Sequence, residues 1–315
     1  MRDKIFAKIR EFNDIIIIPH IRPDGDCFGS AFGLKYIIES IYPNKHVYVI
    51  GEMTKSTSFM GETSNVSDDL FHTSLVISVD TGSLSRVFDD RVLTGKYVIR
   101  IDHHPHVEHF GDLEYIDSNY PSTCTIITDM FREKGIEIPK QAAECLFFGT
   151  STDTGRFRYR GVTSNTHQNV AYLLDTGIDT DKLFNYIYLK DYSAFKLEAE
   201  IVSMINSTDN GLLYLKLTAE MMEKLNIKSE EAGNAISKLE YIRDYPVWAV
   251  FYSHGDIIRG RLRSRGPVVN EIAAKYRGGG HAYASGVTLD SWDELDILIK
   301  DLDIAIVNYK KNMTN

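Results

Sequence analysis

Short apolar runs alternate with helical patterns over the first half of the chain. The runs are apolar at nearly every position, which is typical of strands buried on both faces of a parallel sheet. They cover Ile15–Ile18, Val47–Ile50, Leu75–Val79 and Tyr97–Ile101. Helical spacing predicts helices at 3–12, 28–40, 124–134, 139–148 and 167–174. This alternation predicts an α/β fold with a doubly wound, mostly parallel sheet.

The second half of the chain has a different pattern, which predicts a smaller α+β domain. Strands are predicted at Leu212–Leu217, Pro246–Tyr252 and Ile257–Leu262, and helices at 219–226, 230–242, 268–276 and 292–309. One long helix without Gly or Pro is predicted from Lys190 to Ser207, before the turn at 209–211. The predicted organisation is therefore a first domain of residues 1–189, a linker helix at 190–208 and a second domain at 209–315.

Composition narrows the class of protein. The 35 basic and 44 acidic residues give a net charge of -9, which argues against a protein that coats long duplex nucleic acid. The three cysteines have no paired spacing and fit a reducing compartment better than a disulfide framework. The run Ile15–Ile18 is too short for a signal core or a membrane span. We therefore expect a cytoplasmic protein without membrane association.

Histidine and aspartate residues recur at the predicted strand ends. Four segments place them at the C-terminal end of a strand or in the following loop: Pro19–Asp26, Ser78–Gly82, Ile101–Pro105 and Ser151–Gly155. Open α/β sheets bind ligands at this edge, so we expect the four segments to converge on one site. The candidate groups are His20, Asp24, Asp26, Asp80, Asp102, His103, His104 and Asp153.

This mixture of side chains predicts a divalent metal centre. Carboxylates suit hard cations, and imidazole suits Mn²⁺ as well as Zn²⁺. With no cysteine required, the mixture favours Mn²⁺, with Mg²⁺ as the substitute, over structural zinc. The candidate groups exceed what a single catalytic ion with an open position can use. Two ions about 3.5–4 Å apart would clamp a phosphoryl group and generate hydroxide from bound water near neutral pH.

Each of these segments also has a simpler interpretation. Asp80 or Asp153 before Thr-Gly is typical of a turn or a helix cap. His103 and His104 are also compatible with exposed or hydrogen-bonded histidines that bind nothing, and Gly25 between two acids is common turn chemistry. The convergence of all four segments favours the metal centre.

Two features of the second half predict an anion site. The glycines of Gly278–Gly280 allow positive φ and close approach, so that backbone N–H groups hold an anion and His281 adds a donor. Arginines alternate from Arg259 to Arg265, which places them on one face of a strand, and a forked guanidinium suits phosphate. The alternatives are a helix C-cap with a flexible turn and a solvated strand face.

The four segments resemble the motifs of the DHH phosphoesterase superfamily, which is named for a triplet that reads here Asp102-His103-His104. The second half resembles the DHHA1 substrate-binding domain over Arg263–Gly266 and Gly278–Gly286. The resemblance covers nearly the whole chain. The length of the chain and the order of its motifs are most similar to those of the bacterial nanoRNase and phosphoadenosine-phosphate phosphatase subfamily, as opposed to RecJ exonucleases or pyrophosphatases.

The resemblance implies a role for each candidate residue. One ion would be held by His20, Asp24 and Asp80, and the other by Asp26, Asp80, His103 and Asp153, with Asp80 as the bridge. His104 would face the phosphate or the leaving oxygen, and Asp102 would orient a histidine from behind the ligands. The implied substrate-binding residues are Arg263, Ser264, Arg265, Gly278, Gly279, Gly280 and His281.

The activity implied by the resemblance is hydrolysis of short 5′-phosphorylated single-stranded RNA to mononucleotides, with removal of the 3′-phosphate from adenosine 3′,5′-bisphosphate (pAp). A phosphodiesterase of cyclic di-AMP or linear pApA is the alternative. A nucleotide-binding regulator without catalysis is disfavoured because every expected metal position is filled. The resemblance also allows a homodimer. Cys27 and Tyr283 depart from the usual family pattern, and an aromatic residue at Tyr283 leaves the base preference open.

Overall fold

The computed structural model describes residues 1–159 and 161–313. The chain divides into two compact units, Met1–Leu189 and the remainder from Lys190 onward. The helix predicted as a linker lies in the second unit and spans Tyr192–Ser203. It is shorter than predicted because Asn206 and Ser207 pair with the next strand as a short edge strand. Among the described residues, no helix is both long and apolar enough to cross a membrane.

The first unit is a parallel sheet with helices on both faces. Its strands are β1 (Asp14–Ile18), β2 (His46–Val49), β3 (Leu75–Val79), β4 (Tyr97–Asp102) and β5 (Leu113–Ile116). Its helices are α1 (Arg2–Glu11), α2 (Gly25–Ile41), α3 (Asp68–Thr73), α4 (Thr123–Glu133), α5 (Lys140–Asp153), α6 (Ser164–Leu174) and α7 (Thr180–Tyr188). The strand order is β2-β1-β3-β4-β5, and all neighbouring strands are parallel. The predicted doubly wound α/β layer is confirmed, although β5 was not predicted.

Strand β1 shows why the apolar runs contain so few polar positions. Ile15 and Ile17 pack in the core on one face of the sheet, together with residues of α1, α2, α4 and α5. Ile16 and Ile18 pack on the opposite face, with Phe71 of α3. Successive strand side chains point to opposite faces, and both faces are covered here, so each position must be apolar.

The strand order fixes where a ligand can bind. The chain leaves β1 towards β2 at one edge of the sheet and leaves β3 towards β4 at the other. A crevice forms outside the carboxyl ends of two neighbouring strands whose connections diverge in this way. His20 and Asp80 follow β1 and β3 and therefore lie at this switch point.

Helices α2 and α5 pack closely because glycines face each other. A Cβ atom at Gly29 would lie 2.6 Å from the carbonyl oxygen of Cys145. One at Gly149 would lie 2.8 Å from the carbonyl oxygen of Gly25 and 3.0 Å from Cα of Asp26. These contacts are too short for any larger residue without a backbone shift. The end of α5 therefore lies beside the beginning of α2.

The second unit is a mixed sheet with helices on both faces, as the predicted α+β domain requires. Its strands are β6 (Asn206–Ser207), β7 (Leu212–Leu217), β8 (Val247–His254), β9 (Ile257–Ser264), β10 (Gly279–His281) and β11 (Ala284–Leu289). Its helices are α8 (Tyr192–Ser203), α9 (Ala219–Leu225), α10 (Ser229–Asn234), α11 (Asn270–Lys275) and α12 (Trp292–Met313). The strand order is β10-β11-β9-β8-β7-β6, in which only the β7–β8 pair is parallel.

One helix prediction for the second unit was wrong. The helix predicted over 230–242 ends at Asn234, and a short 3₁₀ turn at Ala235–Lys238 follows it. The glycine-rich segment follows α11 as predicted, but no strand was predicted for Gly279–His281 or for Ala284–Leu289, which pair antiparallel as β10 and β11.

Candidate metal centre and active site

Asp80 lies at the centre of the predicted metal site. Its side chain is only 3% exposed, and its backbone has φ of +53°, a conformation that is uncommon for a residue other than glycine. Oδ2 lies 3.6 Å from His20 Nε2, and Oδ1 lies 3.4 Å from His103 Nε2. The two oxygens of one carboxylate therefore face two different histidines.

Asp24 joins His20 on one side of Asp80. Asp24 caps α2, since its Oδ1 accepts hydrogen bonds from the backbone N–H groups of Asp26 and Cys27, both at 3.0 Å. Its Oδ2 lies 3.8 Å from His20 Nε2. One oxygen of Asp24 is thus committed to the helix, and the other faces the site.

Asp26 and Asp153 lie with His103 on the other side of Asp80. His103 Nε2 is 3.3 Å from Asp153 Oδ2, and one ligand atom from each of the three residues lies within 4.8 Å of the others. The two oxygens of Asp26 accept the backbone N–H groups of Thr123 and Cys124, at 2.7 and 3.0 Å. The N-terminus of α4 therefore stabilises the Asp26 carboxylate.

Asp153 was predicted at the end of a strand, and this prediction was wrong. Helix α5 continues through Thr152 and ends at Asp153. The side chain nevertheless reaches the site, because the glycine contact between α2 and α5 brings their ends together. The structure thus brings all six predicted metal-binding residues together. They follow the ends of β1, β3 and β4 or lie at the end of α5.

The two histidines that face Asp80 have a defined orientation. His20 Nδ1 is 2.8 Å from the carbonyl oxygen of Ile21, and His103 Nδ1 is 3.3 Å from that of Tyr120. A carbonyl oxygen only accepts, so each Nδ1 carries the proton and each Nε2 presents a lone pair. Metal-binding histidines are commonly oriented in this way.

Burial and mutual repulsion disfavour the ionised form of the clustered carboxylates. Desolvation, followed by repulsion from Asp26 and Asp24, raises the pKa of Asp80 well above its usual range. The same three causes raise the pKa of Asp153 to about 8. Divalent cations relieve both effects, since they replace the lost hydration and neutralise the charge. The donor set therefore fits divalent cations.

Asp102 and His104 form a separate hydrogen-bonded pair. Asp102 Oδ1 accepts from His104 Nδ1 at 2.8 Å and from the His104 backbone N–H at 3.1 Å. Burial opposes ionisation of Asp102, but its bonds to His104 and Arg100 outweigh burial and lower its pKa to about 2. The bond to Asp102 in turn raises the pKa of His104. His104 is therefore held in one orientation, with Nε2 unengaged by Asp102.

Arg100 was not predicted, yet it fixes Asp102. Its side chain is fully buried, and Nη2 donates to Asp102 Oδ2 at 2.7 Å. The same guanidinium donates to the carbonyl oxygens of Thr81, Gly82 and Glu108, at 3.0, 2.9 and 2.9 Å. A charged residue within an otherwise apolar strand was the sequence signal for this role.

Thr123 is the second unpredicted residue of the site. Ser122 caps α4 by accepting a hydrogen bond from the Thr125 N–H. Thr123 has a different role, because its hydroxyl donates to Asp80 Oδ1 at 3.0 Å while its N–H donates to Asp26. Thr123 therefore connects the two carboxylates.

Cys27 is buried beside the site. Its Sγ accepts the backbone N–H of His20 at 3.1 Å and lies 3.8 Å from the carbonyl oxygen of Val79. Desolvation, followed by the negative charge of Asp80, raises the pKa of this thiol well above its usual range. Cys27 is thus a packed thiol that supports the loop of His20.

In the second unit, strand register places several predicted substrate residues on one face. Directly paired residues in antiparallel strands point their side chains to the same side. The pairs are His281 with Ala284, Gly279 with Gly286, Ala284 with Arg263, and Gly286 with Arg261. We call this surface the arginine face, and it consists of Arg261, Arg263, Gly279, His281, Ala284 and Gly286.

The arginine face combines crowded cations with small residues. Burial, together with the nearby Arg261 guanidinium, lowers the pKa of Arg263. A Cβ atom at Gly279 would meet no atom within 4 Å among the described residues of this unit. The arginine face therefore offers both space for an anion and positive charge that would attract it.

The other predicted substrate residues have structural contacts away from this face. Gly278 N–H donates to the carbonyl of Ala273 and ends α11, while Ser264 Oγ accepts the N–H of Gly266. Gly280 has φ of +136°, and a Cβ there would lie 2.6 Å from the carbonyl of Ala284. Gly278 therefore uses its N–H at the end of α11 and Gly280 shapes the hairpin, while an anion site built from the three glycine N–H groups stays a prediction.

Arg265 is engaged by the protein itself. Its Nη2 donates to the carbonyl oxygens of Ile242 and Tyr245, at 2.7 and 3.0 Å. The guanidinium also lies over the ring of Trp248, 5.1 Å from the centroid. These contacts hold Arg265 at the end of β9.

Comparison with known proteins identifies the family of both domains. The model of the DHH family, N-terminal domain, matches residues 14–150, and that of the DHHA1 domain matches residues 209–308. The bifunctional oligoribonuclease and PAP phosphatase NrnA of Bacillus subtilis is 33% identical over 96% of this chain and 98% of that protein. A Streptococcus mutans protein with the name "Probable bifunctional oligoribonuclease and PAP phosphatase NrnA" is 37% identical over 95% of this chain and 96% of that protein.

A solved structure shows the same overall fold. It is an exopolyphosphatase-related protein from Bacteroides fragilis, with a TM-score of 0.84 and 24% identity over 100% of this chain and 97% of that one.

The fold and the carboxylate–histidine site define a phosphoesterase, a hydrolase that acts on phosphodiester bonds. The chain belongs to the DHH/DHHA1 phosphoesterase family, whose members depend on divalent metal ions.

Proposed function

We propose that this enzyme hydrolyses short 5′-phosphorylated oligoribonucleotides to mononucleotides and removes the 3′-phosphate of pAp. The carboxylate of Asp80, with one oxygen towards His20 and the other towards His103, is the observation that carries the proposal. Full-length similarity to relatives named as oligoribonucleases and PAP phosphatases supports this substrate class.

Two Mn²⁺ ions are proposed for the centre. His20, Asp24 and Asp80 would hold one, and Asp26, Asp80, His103 and Asp153 the other. When bound, such a pair of ions neutralises phosphoryl oxygens and lowers the pKa of bound water. The chain's own contribution is to keep both histidine Nε2 atoms as lone-pair donors and to hold the carboxylates in place through the amides of α2 and α4.

His104 is proposed as the group that contacts the phosphate or its leaving oxygen. Its Nδ1 is occupied by Asp102, so Nε2 is the atom that can hold a proton for the substrate. Asp102 and Arg100 fix the ring from behind and take no direct part in the reaction. This arrangement orients one proton donor beside the carboxylate cluster, since His104 Nδ1 is 3.7 Å from Asp80 Oδ1.

The arginine face is proposed to bind a phosphate of the substrate. Arg263 and Arg261 supply positive charge, His281 supplies a donor, and Gly279 leaves space for the ligand. An anion site restricted to one small surface fits a short substrate, because a long duplex requires many separate phosphate contacts. An acidic chain with a net charge of -9 disfavours such extended contact.

The proposal is tested by turnover of four substrates with Mn²⁺: a 5′-phosphorylated RNA trimer, pApA, cyclic di-AMP and pAp. We expect mononucleotides from the trimer and loss of phosphate from pAp. The Asp80→Asn variant, which keeps the shape of the side chain, is the control for contaminating nucleases.

Two outcomes would contradict the proposal. Turnover restricted to pApA or cyclic di-AMP would identify a phosphodiesterase of signalling dinucleotides instead. Binding of the nucleotides without any product would instead identify a nucleotide-binding protein that has lost catalysis.

A further inference from the structure

A second group of metal-binding side chains lies outside the active site, in the segment after His104. His106 Nε2 is 3.2 Å from Glu114 Oε2, and His109 Nδ1 is 2.6 Å from the same oxygen. The three ligand atoms all lie within 4.8 Å of one another. Two imidazoles and one carboxylate therefore converge, and none of them is assigned a role in phosphoester hydrolysis.

Glu114 is a fixed member of this group. Its side chain is only 9% exposed, and Oε1 accepts the backbone N–H groups of Phe110 and Gly111, at 3.0 and 3.2 Å. Burial opposes ionisation, but the two amides and the two histidines outweigh it and lower the pKa of Glu114. An ionised carboxylate with one oxygen anchored and the other directed at two imidazoles is a preformed half of a metal site.

The two histidines are accessible from solvent. The side chains of His106 and His109 are 38% and 80% exposed, and their ring centroids lie 4.2 Å apart in an edge-to-face arrangement. An ion can therefore reach the group without opening the fold. His109 is the most exposed of the three side chains.

We propose that His106, His109 and Glu114 bind one Zn²⁺ ion at a site separate from the catalytic ions. Two imidazoles and one carboxylate, with water as the fourth ligand, are an established donor set for Zn²⁺. Imidazole also favours Zn²⁺ over Mg²⁺ and Mn²⁺, so the site selects a different cation from the carboxylate-rich centre.

The distances are close to those of an occupied site. Tetrahedral bonds of about 2.0–2.1 Å place neighbouring ligand atoms about 3.3 Å apart. His106 Nε2 and Glu114 Oε2 already have this separation, at 3.2 Å. His109 Nδ1 needs to retreat by less than about 1 Å, and each neutral imidazole needs only to carry its proton on the other nitrogen.

The site is connected to the active site through the side chain of Arg100. Arg100 donates one hydrogen bond to the carbonyl oxygen of Glu108, between the two histidines, and another to Asp102. An ion that cross-links His106 and His109 to Glu114 would therefore also stabilise the segment that carries His104. We expect bound Zn²⁺ to raise the melting temperature of the enzyme.

Calorimetric titration of Zn²⁺ into the full-length, Mn²⁺-saturated enzyme tests the proposal. Wild type is compared with His106→Gln/His109→Gln, with His109→Gln alone, and with His46→Gln. His46 is 67% exposed and lies 3.0 Å from Asp14, so it is a matched histidine–carboxylate pair with a single imidazole. Zn²⁺ that replaces catalytic Mn²⁺ contributes equally in all four proteins.

The expected result is one additional Zn²⁺ per chain in wild type and His46→Gln, with none in the double variant. His109→Gln, which alters only the most exposed ligand, should weaken this Zn²⁺ by at least about tenfold, the equivalent of about 1.4 kcal/mol. The rise in melting temperature with Zn²⁺ should disappear in the double variant, whose hydrolysis with Mn²⁺ should stay normal. Equal Zn²⁺ stoichiometry in wild type and the double variant would overturn the proposal.

Discussion

The hydroxyl of Thr123 donates a hydrogen bond to Asp80 Oδ1 at 3.0 Å. That oxygen also faces His103, so Thr123 controls the direction of the carboxylate that we propose as the bridge between two ions. The backbone N–H of Thr123 binds Asp26 as well, and this second bond does not depend on the side chain. Substitution of the side chain therefore affects Asp80 selectively.

We expect Thr123→Val to weaken Mn²⁺ binding by about 10–100-fold, because partners behind metal ligands contribute on this scale. Mn²⁺ affinity is measured by calorimetry, and hydrolysis should recover at high Mn²⁺ concentration. Thr123→Ser keeps the hydroxyl and should retain the affinity. If the valine and serine variants bound Mn²⁺ equally, the hydroxyl would have no such role.

Asp80→Asn should abolish hydrolysis and yet stabilise the metal-free protein. The buried Asp80 carboxylate is repelled by Asp26 and Asp24, and asparagine removes this repulsion at nearly constant shape. Melting temperatures at pH 8 in the presence of a chelator provide the measurement. A metal-free variant less stable than wild type would show that the Asp80 charge is compensated by the protein itself.

Metal-free enzyme should lose stability as the pH rises from about 4 to about 8. The folded-state pKa of Asp153 is raised from 3.8 to about 8, and that of Asp80 is also raised. The folded state therefore binds these protons more tightly than the unfolded state, and this contribution disappears as the pH passes through the folded-state pKa.

This pH dependence is measured from chemical denaturation at pH 6 and pH 8 with and without Mn²⁺. Bound Mn²⁺ should reverse the trend, since the ion needs the ionised carboxylates. Asp153→Asn should show a smaller change with pH in the metal-free state. A metal-free wild type that is equally stable at both pH values would contradict the electrostatic description of the site.

Asp102→Asn should impair catalysis without removing the metal ions. Asparagine removes the Asp102 charge beside His104, so the pKa of His104 should fall towards its ordinary value, and NMR titration measures this shift. Because positioned acid–base groups contribute about 10²–10⁴-fold, we expect kcat to decrease by at least about 10²-fold with Mn²⁺ affinity nearly unchanged. If the pKa of His104 were the same in the variant and in wild type, Asp102 would not control the protonation of His104.

Gly279→Val should weaken substrate binding and leave the fold intact. The added side chain would enter the open space of the arginine face, and valine suits a strand. We expect KM to rise by about tenfold or more, the equivalent of about 1.4 kcal/mol. Gly279→Ala should have a smaller effect, and the melting temperature should stay constant in both variants. An unchanged KM would exclude this face as the phosphate site.

Residues that carry a strong local pattern were predicted well from the sequence. Apolar runs gave β1 and β3 nearly to the residue, and strand ends then indicated His20 and Asp80. Strand β5 was missed because Leu113 is its only buried position, as is typical of an edge strand. Strand β10 was missed because glycine has low strand propensity, and its pairing depends on β11.

The remaining errors concern contacts between distant segments. Asp153 was grouped with the strand ends although the element predicted before it was the helix at 139–148, because the sequence did not show that this helix continues to Asp153. Thr123 and Arg100 lie at recognisable local features, the first residue of a helix and a charge among apolar strand positions. Their partners at Asp80 and Asp102 depend on tertiary packing, which no local pattern encodes.

The glycine contact between α2 and α5 has a consequence for cation selectivity. Asp26 lies in the first turn of one helix and Asp153 ends the other, so the separation of the helix axes influences the span between these two carboxylates. Mg²⁺ requires oxygen distances of about 2.0–2.1 Å, whereas Ca²⁺ accepts about 2.3–2.6 Å. An alanine at Gly149 would force the helices apart, because its Cβ would lie 2.8 Å from the carbonyl oxygen of Gly25. With Asp26 and Asp153 as the proposed ligands, Gly29 and Gly149 would therefore help to set the cation radius that the site accepts.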